Sequence, residues 1–293
     1  MPLDSNIIQL HADQRASNIF GDIPEAIDFD IEFEPTRLKG KNYVVNTTTD
    51  TVVGIVGSNY PYNPHPEYFK QIQETIIDNL SYNDVQNAKV RWKTGRWGAF
   101  ALMDITLPEV RYTVTTKKHQ TEVSQRIVAL HGVDGLCSNQ VYFGAIDVFC
   151  TNGLISGDWA KIRRKNTSNF SLGKFIDELN EAKADFHQQG RILQTWADRE
   201  INMKKARDTL EAVMGSEKKA KKMTQLYLAE ASTRGHNVFS LYSALTNYAT
   251  YADERNGFKL HKSDNDNSAL HMFGREQDVS KWISHPAFKA LAA

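Results

Sequence analysis

Between Lys161 and Lys174 the chain carries Lys161, Arg163, Arg164, Lys165 and Lys174 with no acid among them. Trp159 and Phe170 flank this cluster, and Asn166, Thr167, Ser168 and Asn169 add neutral hydrogen-bonding groups. A cationic track beside aromatic rings is the chemistry of single-stranded nucleic-acid binding, in which cations meet phosphates and nucleobases stack on the rings. The segment Arg91-Trp92-Lys93-Thr94-Gly95-Arg96-Trp97 repeats the combination. The competing reading is two solvated basic loops with tryptophans in the core, where Trp is often largely buried.

Other constellations are less specific. His131, Asp134, Cys137 and Cys150 lie close in sequence. None of them shows the paired spacing that presents zinc ligands on one turn or helix, so turn and core roles are expected and no metal is assigned. A nucleophilic Cys150 would need a cation to lower its pKa and a histidine to relay protons. Lys161 and Arg163 are near, but no histidine lies between His131 and His187. No glycine run of phosphate-binding type occurs. Asp104, Asp134, Asp147 and Asp158 could support two-metal phosphoryl chemistry only if they converge. The lysines of Lys218-Lys219-Ala220-Lys221-Lys222 fall early in a predicted helix, where they oppose the helix dipole, and read first as a solvated face. Binding is therefore expected rather than catalysis, with no catalytic residue and no cofactor assigned.

These residues need a scaffold, and 293 residues with 41% apolar and 24% charged content are enough for one large or two modest domains. Lys+Arg and Asp+Glu both total 35, so no global field recruits nucleic acid, and any polyanion site must be a local patch. No stretch approaches the roughly 20 apolar residues of a membrane span, and the N-terminus does not read as a signal peptide. Two cysteines are too few for a disulfide framework and fit a reducing cytoplasm.

Strand signals dominate the first half. Phe29, Ile31 and Phe33 alternate with Asp28, Asp30, Glu32 and Glu34, the period of a half-buried strand with an acidic face. That face either stays solvated or meets a basic surface of a neighbouring subunit. Strands are predicted at Tyr43–Val45 and Thr51–Val56, then a helix near Glu67–Leu80, then strands at Ala88–Lys93, Trp97–Leu107, Arg111–Thr116, Ser124–His131 and Gln140–Phe149. Short turn-rich links between them argue for an antiparallel meander. From Ser171, a plausible N-cap, the pattern is helical, with Leu172, Phe175, Ile176, Leu179, Phe186, Leu193, Trp196 and Ile201 on one stripe and a break or kink at Gly190. Gly215-Ser216 reads as a stop and a new start. Helices follow near Glu217–Ala231, Val238–Asp253 and Val279–Leu291, with a polar loop at Asn256–Ser268. The expected class is α+β, an antiparallel β-meander followed by a helical C-terminal half. Its expected parts are an N-terminal arm (1–40) with the acidic edge strand, a β-rich core (41–170) and a helical region (171–293) packed on or extending from it.

Gly132-Val133-Asp134-Gly135 before a strand, then Asp147-Val148-Phe149-Cys150-Thr151-Asn152-Gly153-Leu154, resembles the phage- and plasmid-type proteins of "domain of unknown function 932". Their pattern has a His/Ser-x-Asp-Gly turn, an Arg-Val-Val-Cys-x-Asn-Thr-Leu strand end and a His-Thr-x-Asn loop opening a helix. Further matches are Gly54-Ile55-Val56 with Tyr60, Gly98-Ala99-Phe100-Ala101-Leu102, the run from Asn237 to Tyr248, and Phe273-Gly274. The resemblance covers about residues 40–291, and Cys-x-Asn is its most specific element. Asp147 replaces the family's usual Arg, Gly153 its Thr and Asn166 its His. An amide cannot exchange protons usefully near neutral pH, so a general-base role at Asn166 is not expected.

The resemblance implies a phage or mobile-element origin, and the meander-then-helix order is similar to that of phage single-strand annealing proteins, which assemble on DNA. The expected function is a cytoplasmic, homo-oligomeric single-stranded DNA-binding protein, with RNA as a further ligand, acting in recombination or annealing and without a membrane partner. Lys161, Arg163, Arg164, Lys165 and Arg96 would contact phosphate, and Trp97 and Trp159 would stack. Asp134, Gly135, Cys150 and Asn152 would shape the turn that sets the basic loop against the sheet. The alternatives are a metal-dependent nuclease or phosphoryl-transfer enzyme using Asp134, Asp147 and Asp158, and a structural or host-interaction protein docking through the acidic strand and the helical half.

Overall fold

The computed structural model describes residues 15–61, 63–137, 139–148, 153–154, 161–164, 172–252 and 268–293. Residues 15–20 are helical (α1), and a 3-10 turn at Glu25–Ile27 leads into β1 (Ile31–Pro35), β2 (Lys41–Asn46) and β3 (Thr51–Gly57). These three strands form a small antiparallel meander in the order β1-β2-β3. Alternation in β1 buries Ile31 and leaves Glu32 and Glu34 exposed, so the acidic face is there as expected, while Asp28 and Asp30 precede the strand.

After α2 (His65–Asn79) and the single turn α3 (Tyr82–Val85), a larger antiparallel sheet follows: β4 (Lys89–Gly95), β5 (Phe100–Thr115), β6 (Gln120–Gly132) and β7 (Asn139–Asp147). Two short strands share the outer edge of β7, with β8 (Gly153–Leu154) opposite Ala145 and Ile146 and β9 (Lys161–Arg164) opposite Asn139 to Tyr142. The sequence separates two strands at Pro108-Glu109, but the structure runs them together as β5. Its ladder to β6 shifts register between Leu107 and Arg111, so Pro108 sits in a bulge where no ladder N–H is needed. The start of the expected basic loop is likewise strand, because Lys161–Arg164 pairs with β7.

The helical half comprises α4 (Leu172–Asp198), α5 (Met203–Met214), α6 (Glu217–Arg234), α7 (Val238–Tyr251), α8 (Ser268–Ser284) and α9 (Pro286–Ala292). Phe175, Leu179, Phe186 and Leu193 of α4 are buried, as their spacing predicts. Gly190 does not break the helix. It lies against the Tyr112 ring, where an added Cβ would come within 2.7 Å, so its role is close packing on β5. The break comes instead after Asp198, where Ile201 N–H donates to His236 O at 3.0 Å and Val238 N–H to Arg199 O at 3.0 Å. The expected helix Val279–Leu291 is two helices, because Pro286 starts α9 and His285 Nδ1 accepts from Ala287 N–H as its cap.

One core cluster joins both halves. It combines Ala101, Met103, Ile105, Ile127, Ala129, Val141 and Phe143 of the sheet with Phe69, Ile72 and Ile76 of α2, Phe175 and Phe186 of α4, and most of α7. The opposite sheet face is also covered, in part by α8. There Asp104 is held by Arg126 through two hydrogen bonds of 2.7 and 2.9 Å, and Arg126 reaches Glu276 of α8 at 2.8 Å. Arg91 adds a contact to Asp104 at 2.9 Å.

A second buried network closes the far end of β7. Asp147 accepts from Thr121 Oγ1 at 2.6 Å and from Arg234 of α6 at 2.5 Å, and Arg234 also grips Glu230, which accepts from Asn247 of α7 at 2.9 Å. Asp147, Arg234 and Glu230 are all buried. Removing one member of such a network leaves the others charged and unmatched out of water, a cost of about 3–5 kcal/mol. Arg234→Leu should lower stability by roughly that amount, read as a shift in the urea unfolding midpoint with an unchanged slope.

Candidate nucleic-acid interface

The β4–β5 hairpin turns through Arg96, Trp97 and Gly98, all with positive φ (51°, 54° and 86°). Left-handed backbone costs a non-glycine residue about 1–2 kcal/mol, so two in succession need outside support. Four contacts supply it. Arg96 Nη2 pairs with Asp134 at 3.0 Å, and the guanidinium lies 5.3 Å from the Phe100 ring centre. His65, at the start of α2, donates from Nε2 to Gly98 O at 2.8 Å. Phe29 packs so closely on Gly98 that an added Cβ would come within 2.6 Å of its ring. Trp97, at the tip of this clamped turn, keeps 70% of its surface exposed.

Asp134 belongs to the β6–β7 loop and is itself the centre of a turn. Its Oδ1 accepts from Leu136 N–H at 2.8 Å and Cys137 N–H at 3.2 Å, which fixes Gly135 in the left-handed region (φ 74°). Gly54 of β3 presses on this turn, with the position of a Cβ only 2.7 Å from Asp134 Cα, so the small sheet can dock here only through a glycine. Leu136 at the loop tip is 78% exposed. Arg96, Trp97, Asp134 and Gly135, four of the residues singled out in the sequence, thus meet at one end of the larger sheet.

The tautomers of the buried pair beneath the turn follow from its partners. Gly98 O can only accept, so His65 carries its proton on Nε2 and presents a bare Nδ1, which accepts from His131 Nδ1 at 2.8 Å. His131 stacks on Tyr68, with ring centres 4.4 Å apart. Burial holds both imidazoles neutral. It lowers the His65 pKa to about 4, against a smaller raising effect of the Gly98 hydrogen bond, and burial with the neighbouring His65 puts His131 well below its usual range. A metal centre of His131, Asp134 and Cys137 is not assembled. His131 faces α2, Asp134 pairs with Arg96, and Cys137 lies in the separate cluster of Phe100, Leu102, Val128, Leu130 and Tyr142. Burial pushes the Cys137 thiol up to about 12, away from any nucleophilic role.

The carboxylates proposed for phosphoryl transfer do not converge either. Asp147 is opposite Val123 at one end of β6, and Asp134 follows Gly132 at the other, about 30 Å away at a strand's usual rise. Asp104, Asp134 and Asp147 are each engaged by arginine. Asp158, Lys165, Trp159, Cys150, Asn152 and Asn166 lie outside the described residues.

Lys161, Arg163 and Arg164 fall on β9, with Lys161 opposite Tyr142, Arg163 opposite Gln140 and Arg164 opposite Asn139. Asn139 Oδ1 accepts from Gly132 N–H at 3.4 Å, Gly132 is opposite Phe100, and Phe100 is opposite Gly95. One row therefore crosses the sheet from the Arg96-Trp97 turn to the basic strand, about 19 Å at the usual strand spacing. Arg164, in the described part of the basic segment, thus lies at the same end of the sheet as the Arg96-Trp97 turn. Trp92 does not join them, since it packs edge-on against Phe69 at 5.0 Å.

Residues 52–286 match the family described as Domain of unknown function (DUF932). The chain belongs to that family. No curated protein and no solved structure matches it. Asp134, which the family pattern places in its turn, is here the clamp for Arg96. Asp147, which departs from the pattern, is matched by a buried Arg234. Among the described residues no helix is long and apolar enough to cross a membrane.

The neutral histidine pair sets a pH dependence. Each folded-state pKa is below the unfolded value of 6.5, so the unfolded chain binds more protons and stability falls as pH drops from about 6.5 toward 4. The slope is about 1.4 kcal/mol per pH unit for each histidine. Urea unfolding at pH 7.5, 6.0 and 5.0 should show this decline, and His131→Gln should flatten it. A stability unchanged between pH 7.5 and 5.0 would rule the buried neutral pair out.

Proposed function

We propose that this DUF932 protein binds single-stranded nucleic acid across the end of its larger sheet, as a cytoplasmic homo-oligomer serving recombination or annealing of mobile-element DNA. The observation that carries this reading is Trp97, exposed at the tip of a left-handed turn that four separate contacts hold in place. An exposed tryptophan on a rigid, costly turn is a preformed stacking platform. Lys161, Arg163 and Arg164 of β9, at the opposite edge with Arg164 on the same row, would supply the phosphate track. Arg96 is engaged with Asp134, so its part is to hold Trp97 in place more than to meet phosphate directly. With a net charge of zero, affinity comes from this local patch and from several copies acting along one strand.

Fluorescence anisotropy with a labelled oligothymidine should show binding at micromolar protein that weakens as salt rises, because cations released from phosphate take part. Trp97→Ala should weaken it roughly tenfold, the usual effect of losing one stacking platform, with the salt dependence unchanged. Oligouridine in parallel reads DNA against RNA. Binding that is absent, or indifferent to Trp97, would sink the reading.

A further inference from the structure

On one face of the small sheet, Glu32 and Glu34 of β1 and Val52 and Ile55 of β3 stay exposed, while Val45 of the central strand between them is buried. The register of β1, β2 and β3 sets Glu32, Val45 and Val52 in one row and Glu34, Tyr43 and Ile55 in the next. Val52 and Ile55 are about half exposed, and Glu32 and Glu34 are exposed with no ion pair among the described residues. Acids thus line the β1 side of an apolar strip, and Lys41 of the central strand β2 is a base at its end, beyond Tyr43.

A complementary surface lies on α6. Lys218, Lys221, Gln225 and Leu228 recur at helical spacing on its exposed side, and Leu228 is a large exposed apolar residue there. Lys218 and Lys221 have no ion pair among the described residues. They also sit near a helix N-terminus whose Ser216 makes no side-chain cap, where an anion would be favoured over a cation. The spacings agree: Lys221 to Leu228 is about 10 Å along a helix, and β1 to β3 is about 10 Å across two strand spacings. A helix laid across the strands sets its lysines on the glutamates and Leu228 on Val52 and Ile55.

We propose that the occupant of the small-sheet face is α6 of a second copy of this chain. The two surfaces are different patches of one molecule, so the contact is head-to-tail and extends into a ring or filament. A net charge of zero keeps no copy from another. This assignment rests on the oligomeric part of the proposed function, and its test contains no nucleic acid, so either can fail without the other.

Sedimentation velocity on the full chain over a concentration series at low salt should show mass rising with concentration and falling back at high salt. Glu32→Lys with Glu34→Lys, and separately Lys218→Glu with Lys221→Glu, should each raise the dissociation constant about tenfold or more, with circular dichroism and melting temperature near those of the parent. Mixing the two variants should restore assembly, because each then offers the charge the other lacks. A parent chain monomeric throughout, variants that associate as the parent does, or a mixture that stays dissociated would each overturn the assignment.

Discussion

Because the larger sheet is covered on both faces, a charge placed on it must find a counter-charge inside the protein. Three aspartates on or beside its strands meet that demand in the same way. Asp104 is held by Arg126, Asp134 by Arg96 and Asp147 by Arg234. Each pair also reaches beyond its own strand: Arg126 to Glu276 on α8, Asp134 to the turn that Gly54 of the small sheet packs against, and Arg234 to Glu230, which in turn accepts from Asn247. Buried ion pairs of this kind contribute little net stability over an apolar equivalent. Here they join separate layers, so loss of one member would be felt in two places.

The same logic shapes the end of the sheet where Trp97 stands. A hairpin with two left-handed non-glycine residues is not favoured by local chemistry. It persists because elements from four parts of the chain meet on it, at Phe29, His65, Phe100 and Asp134. The histidine pair belongs to this support, since a charged His65 would have to share its buried site with His131. The geometry that exposes a tryptophan is therefore coupled to the packing of α2 and to the docking of the small sheet.

Departures from the family's usual residues have physical counterparts. Where the resemblance leads one to expect an arginine, position 147 is an aspartate, and Arg234 of α6 pairs with it. Cys137 is inert through burial, and Asp134 acts on backbone amides and Arg96. Both observations give the residues of this turn an architectural role.

Period and turn chemistry made much of the fold legible from residues alone. The alternation of 28–34, the stripe of α4, the Gly215-Ser216 stop and the meander itself are local patterns, and local sterics and hydrophobic spacing suffice to produce them. What failed was equally local in form but decided at a distance. Pro108 reads as a turn, yet β6 continues alongside and the bulge accommodates it. Gly190 reads as a break, yet Tyr112 needs its missing side chain. Lys161–Arg164 reads as loop, yet β7 offers a free edge. Among site residues, Arg96, Trp97, Asp134 and Gly135 were visible as types and spacings. Their meeting at one end of the sheet, the separation of Asp134 from Asp147, and the roles of His65 and Arg234 were not. Composition and periodicity settle which elements form and which faces are apolar. Partners for buried charges and support for a strained turn come from residues remote in the chain, so only tertiary packing could choose them.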